Sequence, residues 1–173
     1  MLDQLLIAQI FGFISFILGV STFYQKDDRK LKILMLIFNL NHVVHFLLLG
    51  TLVSALSALV SALRTATSIY VSSKLVASAF IAVGLVIGVF LADSVWDLLP
   101  ILGMVIGTYS IFVLKGIAMR IAFLMGSVCW LINNILVGSI GGTLLEATVI
   151  VINSITVLRM LREERILIEN SSH

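Results

Sequence analysis

Residues 53–72 read VSALSALVSALRTATSIYVS, and the one charged group among these twenty is Arg64. A helix of this length measures about 30 Å, the thickness of a bilayer's hydrocarbon core. Placing a guanidinium near its middle costs about 2.5–3.5 kcal/mol on insertion scales, so something must offset it. Ser54, Ser57, Ser61, Arg64 and Ser68 recur at intervals of three and four, which gathers them into one polar stripe of small residues on a helix. The other ten Lys and Arg residues lie in short gaps between apolar stretches or in the tail.

Of the 173 residues, 60% are hydrophobic and 12% charged. With a mean hydropathy of +1.17, the chain has too little polar surface to cover a soluble globule, and it reads as an integral membrane protein. The apolar stretches lack the alternation of a barrel strand. In lipid, backbone amides must then be satisfied within helices, which predicts an all-α membrane protein. Seven spans are expected, at residues 5–23, 32–50, 53–72, 75–92, 96–114, 120–138 and 141–161. The first is too long for a signal-peptide core and is read as a retained span. Gaps of two residues, Thr51-Leu52 and Ser139-Ile140, force antiparallel neighbours.

Charge orients the bundle. Lys26, Arg29, Lys30 and Lys32, Lys74, Lys115 and Arg120, and Arg159, Arg162 and Arg165 all fall on one side. The other side carries Asp3, Asp93 and Asp97. By the positive-inside rule the N-terminus is outside and the C-terminus cytoplasmic, a split that an odd number of spans satisfies. The net charge of +2 reflects this topology and gives no reason to expect nucleic acid as a partner. The lone cysteine, Cys129, is read as a packing residue, since it can form neither an intrachain disulfide nor a cysteine metal site.

An internal repeat is expected. A shift of 88 places Gly50 on Gly138, His45 on Asn133 and Lys32 on Arg120; a shift of 91 places Ile10-Phe11-Gly12 on Ile101-Leu102-Gly103. In the third helix of each unit, a shift of 89 aligns Arg64 with Asn153 and Ser57 with Glu146. The units run from 1–73 and 94–162, with a linker helix at 74–93 and a cytoplasmic tail at 163–173 whose Arg-Glu-Glu-Arg run extends the last helix. Two directly joined triplets would be inverted in the membrane, and the extra crossing restores parallel orientation.

The segments IAQIFGFISFILGVSTFYQK at 7–26, NLNHVVHFLLLG at 39–50 and GTLVSALSALVSALRTATS at 50–68 resemble the YgjV family of bacterial inner-membrane proteins. The resemblance covers nearly the whole chain, implies the bacterial inner membrane and supplies no activity. The three-plus-one-plus-three arrangement also resembles the SWEET sugar facilitators and the PnuC vitamin transporters. In those families substrate sits between two three-helix bundles near the midplane, lined by Asn and Trp. That resemblance makes Trp130, Asn133, Asn134 and Asn153 counterparts in type. The chain departs from the SWEET pattern in having one proline, Pro100, and no Pro-Gln dipeptide.

Arg64 admits two readings. It is either structural, paired with Glu146 or bonded to carbonyls, or it is part of a functional site. Glu146 is the one acidic residue well inside a span, about five residues from the outer end of the seventh. The serine stripe likewise fits either close helix packing or a lined cavity. His42 and His45 lie three apart on the second span, and could relay protons, bind a metal or simply bond neighbouring helices. No further Cys or carboxylate completes a coordination sphere, so no metal and no cofactor is expected. His45, Asn133 and Glu146 share a depth, which suggests a polar pocket opening outward.

Zinc-protease, nucleophile-elbow and nucleotide-loop motifs are absent, and no enzyme is expected. The favoured expectation is a transporter or facilitator for a small polar solute, an anion among the candidates, working by alternating access. Its site residues are Arg64, Glu146, His42, His45, Asn133, Asn134, Asn153, Trp130, Ser57 and Ser61. The competing expectation is a non-transporting scaffold whose buried polar groups fix helix register. Partners are the lipid bilayer and the solute, and a homo-oligomer is compatible with the sequence.

Overall fold

The computed structural model describes residues 2–24, 28–71 and 73–171; Lys26 lies outside them. Among the described residues the chain is all-helical: α1 Leu2–Tyr24, α2 Asp28–Leu48, α3 Leu52–Ser68, α4 Lys74–Leu91, α5 Leu98–Val113, α6 Gly116–Leu136 and α7 Ile140–Ser171, with one 3-10 turn at Val95–Asp97. Five stretches are long and apolar enough to cross a membrane; Lys32–Leu48 and Leu52–Ser68 are shorter apolar helices. At 17 residues each, these two sit at the lower limit of spanning length.

Helix ends differ from the expected spans where charge extends a helix rather than stopping it. Helix α2 takes in Arg29, Lys30 and Lys32, and α7 runs for 32 residues through the charged tail. At 1.5 Å per residue α7 is about 48 Å long, so roughly a third of it projects beyond a 30 Å hydrocarbon core. Pro100 falls in the first turn of α5, where its missing N–H removes no helical hydrogen bond, so it is a helix starter and not a mid-helix hinge.

The short turns repeat. Gly50 (φ +78°) and Gly138 (φ +71°) both take the left-handed conformation. Around Gly50 the amide of Leu49 bonds the His45 carbonyl, Gly50 bonds Leu47 and Thr51 bonds Phe46; 88 residues later Val137 bonds Asn133, Gly138 bonds Ile135 and Ser139 bonds Asn134. These are paired Schellman closures. The same offset continues into the following helices, where Ala55 bonds Thr51 and Thr143 bonds Ser139. The offset of 89 expected for the third helices is therefore corrected to 88. No extra residue is inserted after the turn, so Glu146 corresponds to Ala58 and Arg64 to Ile152.

The helices pack in a closed circuit: α1 on α2, α2 on α3, α3 on α5, α5 on α6, α6 on α7 and α7 on α1. Helix α4 stands beside the circuit, against α5 and α3. It buries only Ala77, Gly84 and Gly88, whereas α3 buries eleven of its seventeen residues. Gly84 and Gly88 dock α4 onto the Met104 and Ile101 side chains of α5. At the α1–α7 crossing the backbones meet directly: a Cβ on Gly141 would lie 2.2 Å from the carbonyl group of Gly12.

The polarity of the packed molecule is reversed relative to a soluble bundle. Leu6, Ile17, Leu75, Val89, Phe90 and Ile155 face outward, while the interior holds Asn39, His42, His45, Arg64, Thr108, Asn134, Glu146 and Asn153. Apolar groups gain nothing by hiding from lipid, and polar groups do. This distribution makes the chain an all-α membrane protein.

Candidate functional site

A cavity of about 100 Å³ lies inside the circuit and is lined by α2, α3, α5, α6 and α7. From α2 come Met35, Phe38, Asn39 and His42; from α6 come the residues 88 positions later, Phe123, Gly126, Ser127 and Trp130. Ala58 and Ser61 of α3 are matched in the same way by Glu146 and Val149 of α7. Arg64, Gly103, Gly107 and Leu145 complete the wall. Glycines on α5 let two lining side chains lie directly against its backbone. A Cβ on Gly103 would lie 2.7 Å from the Trp130 ring, and one on Gly107 would lie 2.8 Å from Arg64 Nη2. The wall is mostly apolar, with Asn39, His42, Ser61, Arg64, Ser127 and Glu146 set into it, and these polar groups give water its partners there.

Arg64 is 7% exposed. Its Nε and Nη1 have no hydrogen-bond partner, and the guanidinium forms no ion pair with Glu146 among the described residues. The paired reading of Arg64 is therefore not realised. The side chain is laid against the backbone of α5 at Gly107, while Glu146 enters the cavity from α7, facing the Ser127 hydroxyl. Both charges border one space without neutralising each other.

The two histidines separate. His45 spends both ring nitrogens on the frame: Nδ1 lies 2.7 Å from the Ala8 carbonyl of α1 and Nε2 lies 2.7 Å from Ser139 Oγ in the α6–α7 turn. Its ring also packs against Gly12, beside the α1–α7 crossing. His42 lines the cavity, its ring 4.3 Å from that of Phe38, and its Nε2 is buried without a partner. With both nitrogens of His45 occupied, the pair has no common metal position. No three of His, Cys, Asp or Glu gather as a metal cluster among the described residues.

Of the expected site residues, the cavity brings together Arg64, Glu146, His42, Trp130 and Ser61. The outward-opening pocket of His45, Asn133 and Glu146 does not form. Asn133 Oδ1 instead accepts from Ser54 Oγ at 3.1 Å, binding α6 to α3. Asn134 packs against Gly142 and takes no part in the cavity. Asn153 sits toward the basic end, where its Oδ1 accepts from Arg120 Nη1 at 3.4 Å. Ser57 is fully buried outside the cavity wall. Trp130 stacks on Phe46 with ring centres 5.7 Å apart, fixing its indole over Gly103. Sequence reasoning sees Asn39 on the second span without placing it in the site, and it missed Ser127. The signal was available: they are 88 apart, and Asn39 lies three residues from His42 on the same helix side.

A family profile described as bacterial inner membrane protein, Imp-YgjV, matches residues 6–164. The chain is 33% identical over 159 residues to the inner membrane protein YgjV of Escherichia coli K12, covering 92% of this chain and 87% of that protein. No solved structure matches. With the profile match running through all seven helices, the chain belongs to the YgjV family of bacterial inner-membrane proteins.

Proposed function

We propose that this protein is a transporter or facilitator for a small polar solute, with the central cavity as its binding site. On this reading all seven helices cross the membrane and α1–α3 and α5–α7 form two parallel bundles. Helix α4 is the linker and the basic face is cytoplasmic. The observation that carries it is the cavity wall: residues 88 apart on α2 and α6, and on α3 and α7, border the same space around an unpartnered, buried guanidinium. A chamber with polar groups set between two related halves suits alternating access, in which the halves rock about a fixed site. A structural arginine would have used its donors on carbonyls or a carboxylate. The scaffold reading draws support from His45, whose bonds hold three segments together, but it leaves the orphaned donors of Arg64 and His42 unexplained. The protein thus moves its solute and performs no chemistry on it.

The reading is tested by thiol accessibility in oriented, sealed vesicles. With Cys129 replaced by serine, a cysteine introduced at Ser61 should react with small membrane-impermeant thiol reagents applied to either side. Failure to react from both sides, in protein that is folded and inserted, would refute an access-alternating site.

A further inference from the structure

We propose that the cavity takes a small zwitterion, a solute carrying a carboxylate and an ammonium on a few heavy atoms. Arg64 receives the carboxylate and Glu146 the ammonium. This rests on the transport reading and adds the chemical class of the solute.

Two opposite charges border one space. Arg64 and Glu146 are 7% and 8% exposed, come from α3 and α7, and both line the cavity. Neither neutralises the other, and Arg64 Nε and Nη1 lack any partner. A buried charge without a counter-charge is strongly disfavoured. A mono-anion would answer Arg64 and leave Glu146 only the Ser127 hydroxyl; a mono-cation would leave Arg64 unanswered. A sugar would leave both charges unmet. A zwitterion answers both at once, and its two ends fix its orientation. A pair of carboxylate oxygens also matches the donor fork of a guanidinium.

The wall around these charges points the same way. Two pairs of wall positions 88 apart are alike in kind: Asn39 with Ser127 and His42 with Trp130 each offer a hydrogen-bonding side chain. The charges break the match. Glu146 corresponds to Ala58, and the counterpart of Arg64 is Ile152, which is 40% exposed and outside the wall. A chamber with one positive and one negative post is complementary to a dipolar solute. Its volume of about 100 Å³ is enough for a solute on the scale of glycine or alanine.

The test is counterflow in proteoliposomes of the full-length protein. The probes are radiolabelled glycine, L-alanine, methanesulfonate, tetramethylammonium and glycerol; the two ionic controls do not cross lipid as neutral species. Glycine and alanine should exchange at least tenfold faster than in protein-free vesicles, and the three controls should not. Glu146→Gln should lose glycine exchange and gain methanesulfonate, while Arg64→Gln should lose glycine and gain tetramethylammonium. Such a swap in selectivity does not follow from misfolding. If the Gln variants are not monodisperse, Glu146→Asp and Arg64→Lys serve instead, and each should keep part of the glycine exchange. Methanesulfonate or glycerol matching glycine in the wild type overturns the proposal, as does glycine exchange untouched in the charge variants. Absence of glycine and alanine exchange, while a cysteine at Ser61 is labelled from both sides, overturns the zwitterion and leaves transport standing. Absence of that labelling brings down the transport reading itself.

Discussion

A methyl group on Gly141 tests whether the helical circuit closes between the two ends of the chain. Its Cβ would lie 2.2 Å from the carbonyl carbon and oxygen of Gly12 and 2.6 Å from the amide nitrogen of Phe13. These are backbone atoms and cannot swing aside. Restoring a carbon contact of about 3.5 Å forces α1 and α7 apart by roughly 1 Å at their closest point. Overpacking a filled core costs about 1–3 kcal/mol. No side chain can absorb the shift here, so the upper end, about 3 kcal/mol, is expected. At about 2–4 °C per kcal/mol for a chain of this size, the thermal midpoint in mild detergent should fall by about 6–12 °C. Gly50→Ala and Gly138→Ala are the controls: nothing lies within 4 Å of either Cβ, and only the left-handed backbone is strained, at about 1–2 kcal/mol. If Gly141→Ala melted within 2 °C of the wild type, α1 and α7 would not touch as described, and the circuit around the cavity would lose its closing seam.

The histidines should respond in opposite ways. His45→Phe removes bonds to Ala8 and Ser139 and should cost about 2 kcal/mol, read as a lower thermal midpoint. His42→Phe removes a ring nitrogen that has no partner, so stability should stay within about 1 kcal/mol of the wild type while solute exchange falls. Gly107→Ala should displace the Arg64 guanidinium, whose Nη2 would lie 2.8 Å from the new Cβ. That group is the far end of a flexible side chain, so the melt should change little while glycine exchange falls about tenfold. Asn133→Leu strands the Ser54 hydroxyl and should destabilise by about 1–3 kcal/mol without altering which solutes exchange.

Helix number and turn placement were legible because both follow from local rules. Apolar runs of spanning length demand helices, and Gly50 and Gly138 mark closures that only a left-handed residue completes. The helix ends were less so, because Arg29, Lys30 and Lys32 can stay helical while their charged heads leave the apolar layer. The meeting of Arg64 and Glu146 around one space was partly legible from their depth. That they remain unpaired was not, since it depends on Gly107 giving the guanidinium a resting place on a third helix. Nor could spacing separate His42 from His45. Three residues along a helix leave both on one broad side, and only the neighbours decide: α1 and the α6–α7 turn for one, the cavity for the other.

The position of α4 bears on how the two halves could work together. Gln4 reaches the Leu48 carbonyl and Gln9 reaches the Gly138 carbonyl and the Ile140 amide, so the Gly50 and Gly138 turns lie at one end of the molecule. Lys32 bonds the Ser68 carbonyl at the other end, where Arg120 bonds Asn153. On the transport reading each half then runs in the same direction, and an offset of 88 residues spans four helices, an even number of reversals. On that reading three helices per half would leave the second copy upside down, and the fourth corrects this from outside the circuit, where it takes no part in the central cavity. On the transport reading, α4 need only cross and dock. Replacing its outward-facing Val86 or Val89 with leucine should leave exchange unchanged. Gly84→Leu should detach α4 from Met104, since even a Cβ there would lie 1.8 Å from the methionine's terminal carbon. If that detachment left both turns at the same end and exchange intact, α4 would be a topological spacer alone; if exchange stopped, its hold on α5 would be part of the motion.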